Sequence, residues 1–380
     1  MTVRTLILSG GGGRGAFHAG VYKYLCEAHK DSVDAAHRGV WDPDIVVGTS
    51  IGAVNGAAIV QGISAAELER FWLALREHHI EGLPAGMRVL TRWVSNRLMK
   101  QFIGVTLPVV PAERGTSPSA QESWPPLPLL PARLSERLIG RWNNLLDTGP
   151  LRETLTARLG LDMAKVAASR KKLLINATNV RTGERITFSN SVIRRRRTGA
   201  PREDVKPEIT LDRILASCSI PLVYPWTRDT DGEVYWDGAV VANTPLSPAL
   251  DAAADRPVEE PMEAVVVMMT PWWEPGDPVP AGRQQLPQDF GEAITWTLDW
   301  ALLASFRESL KLTRFCNEQC EAQRAAGGAL TYRLVKVLIV APEQFLPVTR
   351  IIDYDEPASS RLIELGYEAA RRVFRAEFPA

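Results

Sequence analysis

Asp44-Ile45-Val46-Val47-Gly48-Thr49-Ser50-Ile51-Gly52 is the stretch that decides the fold. DIVV is a short apolar run rich in β-branched residues, which reads as a buried strand. The small-residue segment AVNGAAIVQG that follows at 53–62 reads as a helix able to pack closely. Between strand and helix stands G-x-S-x-G, whose glycines permit a sharp strand-to-helix turn that pushes the serine hydroxyl out at the sheet edge. Upstream, Thr5–Ser9 is a second buried strand that runs into Gly10-Gly11-Gly12-Gly13-Arg14-Gly15, with a helix expected from about Ala16. Downstream, strands are expected at 173–176, 186–188, 234–236, 265–269 and 334–340, and amphipathic helices at 64–80 and 357–376. Strands alternating with helices predict an α/β fold with a mainly parallel sheet.

The chain of 380 residues is 45% hydrophobic and 23% charged, ordinary for a globular protein. Its 44 basic and 44 acidic residues cancel, so no whole-protein field draws it to nucleic acid, and no nucleic-acid partner is expected. Cys26, Cys218, Cys316 and Cys320 are too few and too uneven for a disulfide framework, and they read as free thiols. No histidine stands near Cys316 and Cys320, so no metal site is expected there. The N-terminus lacks the features of a signal peptide, and no stretch approaches the ~20 apolar residues of a membrane span. A cytoplasmic location is the expectation.

Ser50 follows a strand and precedes a helix, the context that makes it a candidate nucleophile rather than a capping serine. An ordinary α/β-hydrolase would supply a histidine well downstream. The five histidines here are His18, His29, His37, His78 and His79, and none lies beyond residue 79. His78 and His79 fall at what reads as a polar, solvated helix end. The alternative base is Asp237, which closes the strand Val234–Trp236 and opens an Asp237-Gly238-Ala239 turn at the same sheet edge as Ser50. A free aspartate, with a pKa near about 3.9, is too acidic for this task unless burial raises it.

The glycine loop 10–15 fits G-x-G-x-x-G, a dinucleotide fingerprint, so a nucleotide-binding protein is the rival reading. Asp31 and Asp34 stand near the required spacing, but no strand precedes them. A phosphate loop would need lysine and then serine or threonine after Gly15, where Ala16 and Phe17 stand. The remaining use of such a loop is an oxyanion hole, with backbone N–H groups aimed at a tetrahedral intermediate.

GGGGRG at 10–15, GTSIG at 48–52, Ala216-Ser217-Cys218-Ser219-Ile220-Pro221 and DGA at 237–239, in this order, resemble the blocks of the patatin-like phospholipase family. The resemblance implies a three-layer α/β/α sandwich and a calcium-independent lipid acyl hydrolase of phospholipase A or lysophospholipase type. Ser50 would be the nucleophile, and Asp237 the general base and later acid. Gly11, Gly12, Gly13 and the N–H of Arg14 would form the oxyanion hole, while Gly10, Gly15, Gly48, Gly52 and Gly238 would support the motifs. The Arg14 side chain could steady the loop or meet a lipid phosphate. The partner implied is lipid, at a membrane surface or free, with no cofactor; a homo-oligomer is left open. A non-catalytic interaction protein on the same fold is a further alternative.

The matching blocks place a catalytic domain at 5–250, with 251–380 expected to complete the sheet and one helical layer. Residues 107–131 hold Pro108, Pro111, Pro118, Pro125, Pro126, Pro128 and Pro131, which preclude a helix or central strand. They mark an insertion over about 85–145, read either as a flap over the site, with Trp124, Leu127, Leu129 and Leu130 lining it, or as a surface excursion. Two features have no assigned role. Arg194–Arg197 could bind anionic headgroups or be a solvated loop. Trp272-Trp273 looks exposed and suits either an acyl-chain groove or an interfacial contact.

Overall fold

The computed structural model describes residues 2–27, 41–80, 146–196, 198–274, 276–279, 286–288, 290–346 and 354–377. The whole of the 85–145 insertion with its proline-rich stretch 107–131, and His29, His37, Asp31 and Asp34, lie outside them.

Nine strands form one sheet: β1 (Val3–Leu8), β2 (Ile45–Thr49), β3 (Lys172–Asn179), β4 (Arg185–Ser189), β5 (Val205–Pro207), β6 (Thr227–Arg228), β7 (Val234–Asp237), β8 (Met262–Val267) and β9 (Val335–Val340). The order is β5-β4-β3-β2-β1-β8-β9, with β7 added to β3 and β6 to β7. β3, β2, β1, β8 and β9 run parallel, while β4 and β7 are antiparallel to β3. The helices are α1 (Ala16–Glu27), α2 (Ile51–Gln61), α3 (Ala65–Ala74), α4 (Gly149–Glu153), α5 (Met163–Ala168), α6 (Leu211–Ser217), α7 (Ala239–Ala242), α8 (Ser247–Ala252), α9 (Phe290–Ala325) and α10 (Glu356–Glu377).

The strands are buried on both faces, as parallel strands covered by helices must be. Alternate side chains feed two cores. Leu6, Leu8, Val46, Leu173, Ile175, Val265 and Val267 pack toward α1, α2, α3 and α10. Val3, Ile7, Ile45, Val47, Leu174, Ala264 and Val266 pack toward α8 and α9. The result is a three-layer α/β/α sandwich. Residues beyond 250 serve both helical layers, contrary to the single layer expected. Leu303, Phe306 and Leu310 of α9 enter one core, and Leu362, Ile363 and Phe374 of α10 enter the other.

Helix α3 ends sooner than its apolar stripe suggested. Ser64 and Glu67 form a capping box that starts it. The Arg76 guanidinium then donates to the carbonyls of Leu73 and Leu75, closing the helix at Ala74. Nδ1 of His79 accepts the Arg76 N–H in the short turn that follows, which buries His79 rather than solvating it; His78 alone is exposed. The Trp272-Trp273 pair also differs from expectation. Trp272 packs edge-on to Phe306, Trp273 to Trp300 and Phe345, and the Arg307 guanidinium lies over the cluster, so both indoles are half-buried.

α1 and α10 cross with backbones in contact. A Cβ on Gly20 would lie 1.9 Å from the Ile363 carbonyl oxygen, and one on Gly366 would lie 2.1 Å from that of Phe17. Gly20→Ala must therefore push the helices apart, at a cost of about 1–3 kcal/mol. Its urea midpoint should fall below wild type with the m-value unchanged. An unshifted midpoint would mean that the helices do not touch at this point.

Candidate active site

The sheet register brings the proposed residues together. β2 runs along one edge of β3 and ends with Thr49 opposite Asn176. β7 approaches along the same edge from the other direction and ends with Asp237 opposite Ala177. Two strands thus meet head to head at neighbouring positions of β3, and the residues at the junction are Ser50 and Asp237. The Ser50 hydroxyl stands close enough to the Asp237 carboxylate to pull its pKa down.

Ser50 has φ 56° and ψ −126°, a left-handed backbone that costs a non-glycine residue free energy. The turn is held from several sides. A Cβ on Gly48 would meet the Gly52 carbonyl at 2.3 Å, and one on Gly52 would meet that of Leu8 at 2.2 Å, so both positions require glycine. The Ser50 N–H donates to Oγ of Ser217 at 2.8 Å, and the Ser217 hydroxyl donates to the Asn176 carbonyl at 2.6 Å. The Ser50 backbone is therefore tied through Ser217 to β3.

Asp237 is tied down as closely. Its N–H donates to the Ser219 carbonyl at 2.8 Å, its own carbonyl accepts from the Thr178 hydroxyl at 2.9 Å, and its Oδ1 accepts the Ala239 N–H at 2.8 Å. Gly238 lies against β3, where a Cβ would meet the Asn176 carbonyl oxygen at 2.3 Å. Asp237 is only 2% exposed. Burial raises its pKa from the ordinary value to about 7, against smaller lowering effects of the Ser50 hydroxyl and the Ala239 N–H.

The glycine loop stands over Ser50, since a Cβ on Gly10 would come within 3.0 Å of Cβ of Ser50. Asn243 Oδ1 accepts the Gly10 N–H at 2.9 Å and anchors the loop to the segment after Asp237. Helical geometry begins earlier than expected, as a 3₁₀ turn over Gly12–Gly15 that runs directly into α1. In that turn the Arg14 N–H is given to the Gly11 carbonyl at 3.2 Å. This removes Arg14 from the N–H groups available to an oxyanion and leaves those of the glycines, at the positive end of a helix. The Arg14 side chain is 3% exposed and its Nε donates to Gly11 O, so it braces the loop instead of reaching a surface phosphate. Burial lowers its pKa to about 10, with the field of Asp299 on α9 opposing that shift. Behind the loop, a Cβ on Gly15 would meet Ile51 and Trp72. The Asn55 amide donates to Gly15 O at 3.0 Å and contacts Nδ1 of His18, whose pKa burial pushes down to about 3.

Asn243, Asn55 and the roles of Ser217 and Ser219 were not identified from sequence. The 216–221 block carried only a resemblance, and no spacing rule marks an asparagine that accepts a backbone N–H. Among the described residues no cluster of three or more His, Cys, Asp or Glu could hold a metal ion, and no helix is long and apolar enough to cross a membrane.

Residues 6–250 match the family model described as patatin-like phospholipase. The chain belongs to that family. Among solved structures it is similar to the crystal structure of VipD from Legionella pneumophila, at 11% identity and a TM-score of 0.38, over 99% of this chain and 67% of that one. No curated protein matches it. The patatin-like region takes in β1 to β8's threshold, the elbow, the glycine loop and the Asp237 turn, and β8, β9 and α10 extend the same sheet and core beyond it.

A carboxylate whose pKa is raised on folding binds its proton more tightly in the folded state. The stabilisation this gives is fully present below the ordinary carboxylate range near pH 4 and is lost as pH rises through about 7. Above pH 7 the ionised Asp237 leaves the patatin-like fold weaker by a few kcal/mol, about 1.4 for each pKa unit. Asp237→Asn should therefore melt at a higher temperature than wild type at pH 8, with the gain shrinking toward pH 5. A gain independent of pH, or none, would refute the raised pKa.

Proposed function

We propose that this patatin-like protein cleaves carboxylic esters of lipids, in the manner of a calcium-independent phospholipase A or lysophospholipase, through a Ser50–Asp237 dyad. The carrying observation is that the sheet register sets a serine held at φ 56° beside a buried carboxylate whose pKa is raised to about 7. A base working at neutral pH is most effective with a pKa near that pH. Burial gives Asp237 what histidine supplies in other serine hydrolases.

Asp237 accepts the Ser50 proton as Oγ attacks the ester carbonyl carbon, and the carbonyl electrons move to its oxygen. The N–H groups of Gly11, Gly12 and Gly13 receive that oxyanion. The C–O bond to the alcohol breaks, and Asp237 passes its proton to the departing oxygen. Water, giving its proton to Asp237, attacks the acyl-Ser50 ester and releases a fatty acid, and the proton returns to Ser50.

The surroundings of the dyad support a lipid substrate. The loop Ile220-Pro221-Leu222-Val223-Tyr224-Pro225-Trp226 follows the Ser217–Ser219 segment and carries no charge. Leu222 holds φ 70° and is 78% exposed, an apolar side chain presented to solvent from a strained backbone. Val240 and Val241, just beyond Asp237, are also exposed. The reading keeps the protein on the aqueous side, cytoplasmic and meeting lipid at a membrane surface.

kcat/KM for p-nitrophenyl butyrate should rise with pH through a single ionisation near pH 7 and level off above it, because only the ionised carboxylate accepts the Ser50 proton. A profile flat down to pH 5 would indicate an aspartate of ordinary acidity and sink the dyad. Ser50→Ala should remove both this activity and labelling by a fluorophosphonate probe while the protein stays folded.

A further inference from the structure

The arginine run left over from the sequence lies far from Ser50. Strands β1, β2, β8 and β9 are parallel, so Ser50, after β2, and Arg333, before β9, stand at opposite edges of the sheet. A six-residue strand at about 3.3 Å per residue separates those edges by roughly 20 Å. At the edge away from Ser50 a groove of about 490 Å³ opens between the 194–202 loop, α8 and α9. That volume lies in the range of small-ligand sites, about 300–1,000 Å³.

The groove has an apolar floor and a cationic rim. Leu246, Leu250, Val258 and Val335 line the floor, and Leu312 projects from α9 into solvent along it. Arg194, Arg195, Arg196, Arg202 and Arg333 stand around it. The nearby acids are already engaged with other cations: Asp251 with Arg202, Glu203 with Arg195, Asp255 with Lys172 and Glu260 with Arg256. Among the described residues no carboxylate lies within ion-pair distance of Arg194, Arg196 or Arg333. Their guanidinium groups are positioned by backbone carbonyls instead. Arg194 donates to Gly199 O, Arg196 to Thr331 O, and Arg333 to the carbonyls of Ala253, Arg256 and Glu260. Carbonyl partners orient a guanidinium without neutralising it, so Arg194 and Arg196 keep their charge at the rim, with Arg333 beside them. Burial lowers the Arg333 pKa; the Glu260 carboxylate opposes that shift, Arg196 and Arg256 add to it, and Asp255 opposes it.

We propose that this groove is a second binding site, taking a single-chain amphiphile with an anionic head: the head against Arg194, Arg196 and Arg333, the chain along Leu250, Val258 and Leu312. An inorganic anion would leave the apolar floor unused, and a neutral chain would leave the guanidinium groups unused. The inference does not depend on hydrolysis at Ser50.

Titration calorimetry of the full chain with laurate below its micellar concentration should show one site in the micromolar range. Dodecyl maltoside and inorganic phosphate should each bind about tenfold or more weakly, because each meets only half of the groove. Arg194→Glu with Arg196→Glu, and separately Leu312→Asp on the exposed face of α9, should each weaken laurate by about tenfold or more. The far-UV circular dichroism and melting temperature of both variants should match wild type, which shows that they fold. Laurate affinity indifferent to both would place the ligand elsewhere and overturn the proposal. Phosphate binding as tightly as laurate would overturn it, as would binding to phosphatidylglycerol vesicles with none to monomeric laurate.

Discussion

One edge of β3 receives two strands that run toward each other. β2 arrives parallel and stops at Asn176, and β7 arrives antiparallel and stops at Ala177. The rest of the site hangs on that junction. No β3 residue separates the two endpoints, so the turns after both strands must leave the sheet at once, and only small groups fit there. It also explains why Ser217 and Ser219, on the segment that crosses the junction, hold one partner each by a backbone hydrogen bond. The helix that delivers them is fixed in turn by a buried ion pair. Arg213 donates from Nε and Nη2 to Asp229 at 3.0 and 2.9 Å and lies over the Phe188 ring.

Burial sets the chemistry at the junction. A carboxylate removed from water without a cation beside it holds its proton to higher pH, and no such cation appears among the causes acting on Asp237. The Ser50 hydroxyl and the Ala239 N–H work against the shift but do not cancel it. Arg14, in the glycine loop beside Ser50, is engaged with Gly11 and lies in the field of Asp299 on α9, so its charge serves the loop. A base suited to neutral pH thus arises from what is missing around it as much as from what is present.

Much of this was legible in the sequence, for identifiable reasons. Apolar runs such as DIVV and TLILS are buried on both faces, so they stand out without alternation, and the glycines at 48, 52 and 238 are demanded by backbone carbonyls that any Cβ would strike. Other features were illegible because they depend on distant partners. The end of α3 is set by the Arg76 side chain taking carbonyls, not by a glycine or proline. The burial of His79 follows from a turn that the apolar stripe does not announce. The Trp272-Trp273 pair reads as exposed between prolines, yet α9 supplies Phe306 and Arg307 to cover it. The loss of the Arg14 N–H to Gly11 follows from the 3₁₀ turn, which four glycines in a row leave undetermined.

The two ends of the β3 junction are far apart along the chain, residue 50 on one side and residue 237 on the other. During synthesis the elbow emerges long before the strand that carries its base, and β8, which borders β1, emerges later still. A nascent or truncated chain ending before β7 has Ser50 without Asp237 and half of its β3 edge bare. However well its first strands pair, a fragment that stops short of residue 237 leaves the junction open.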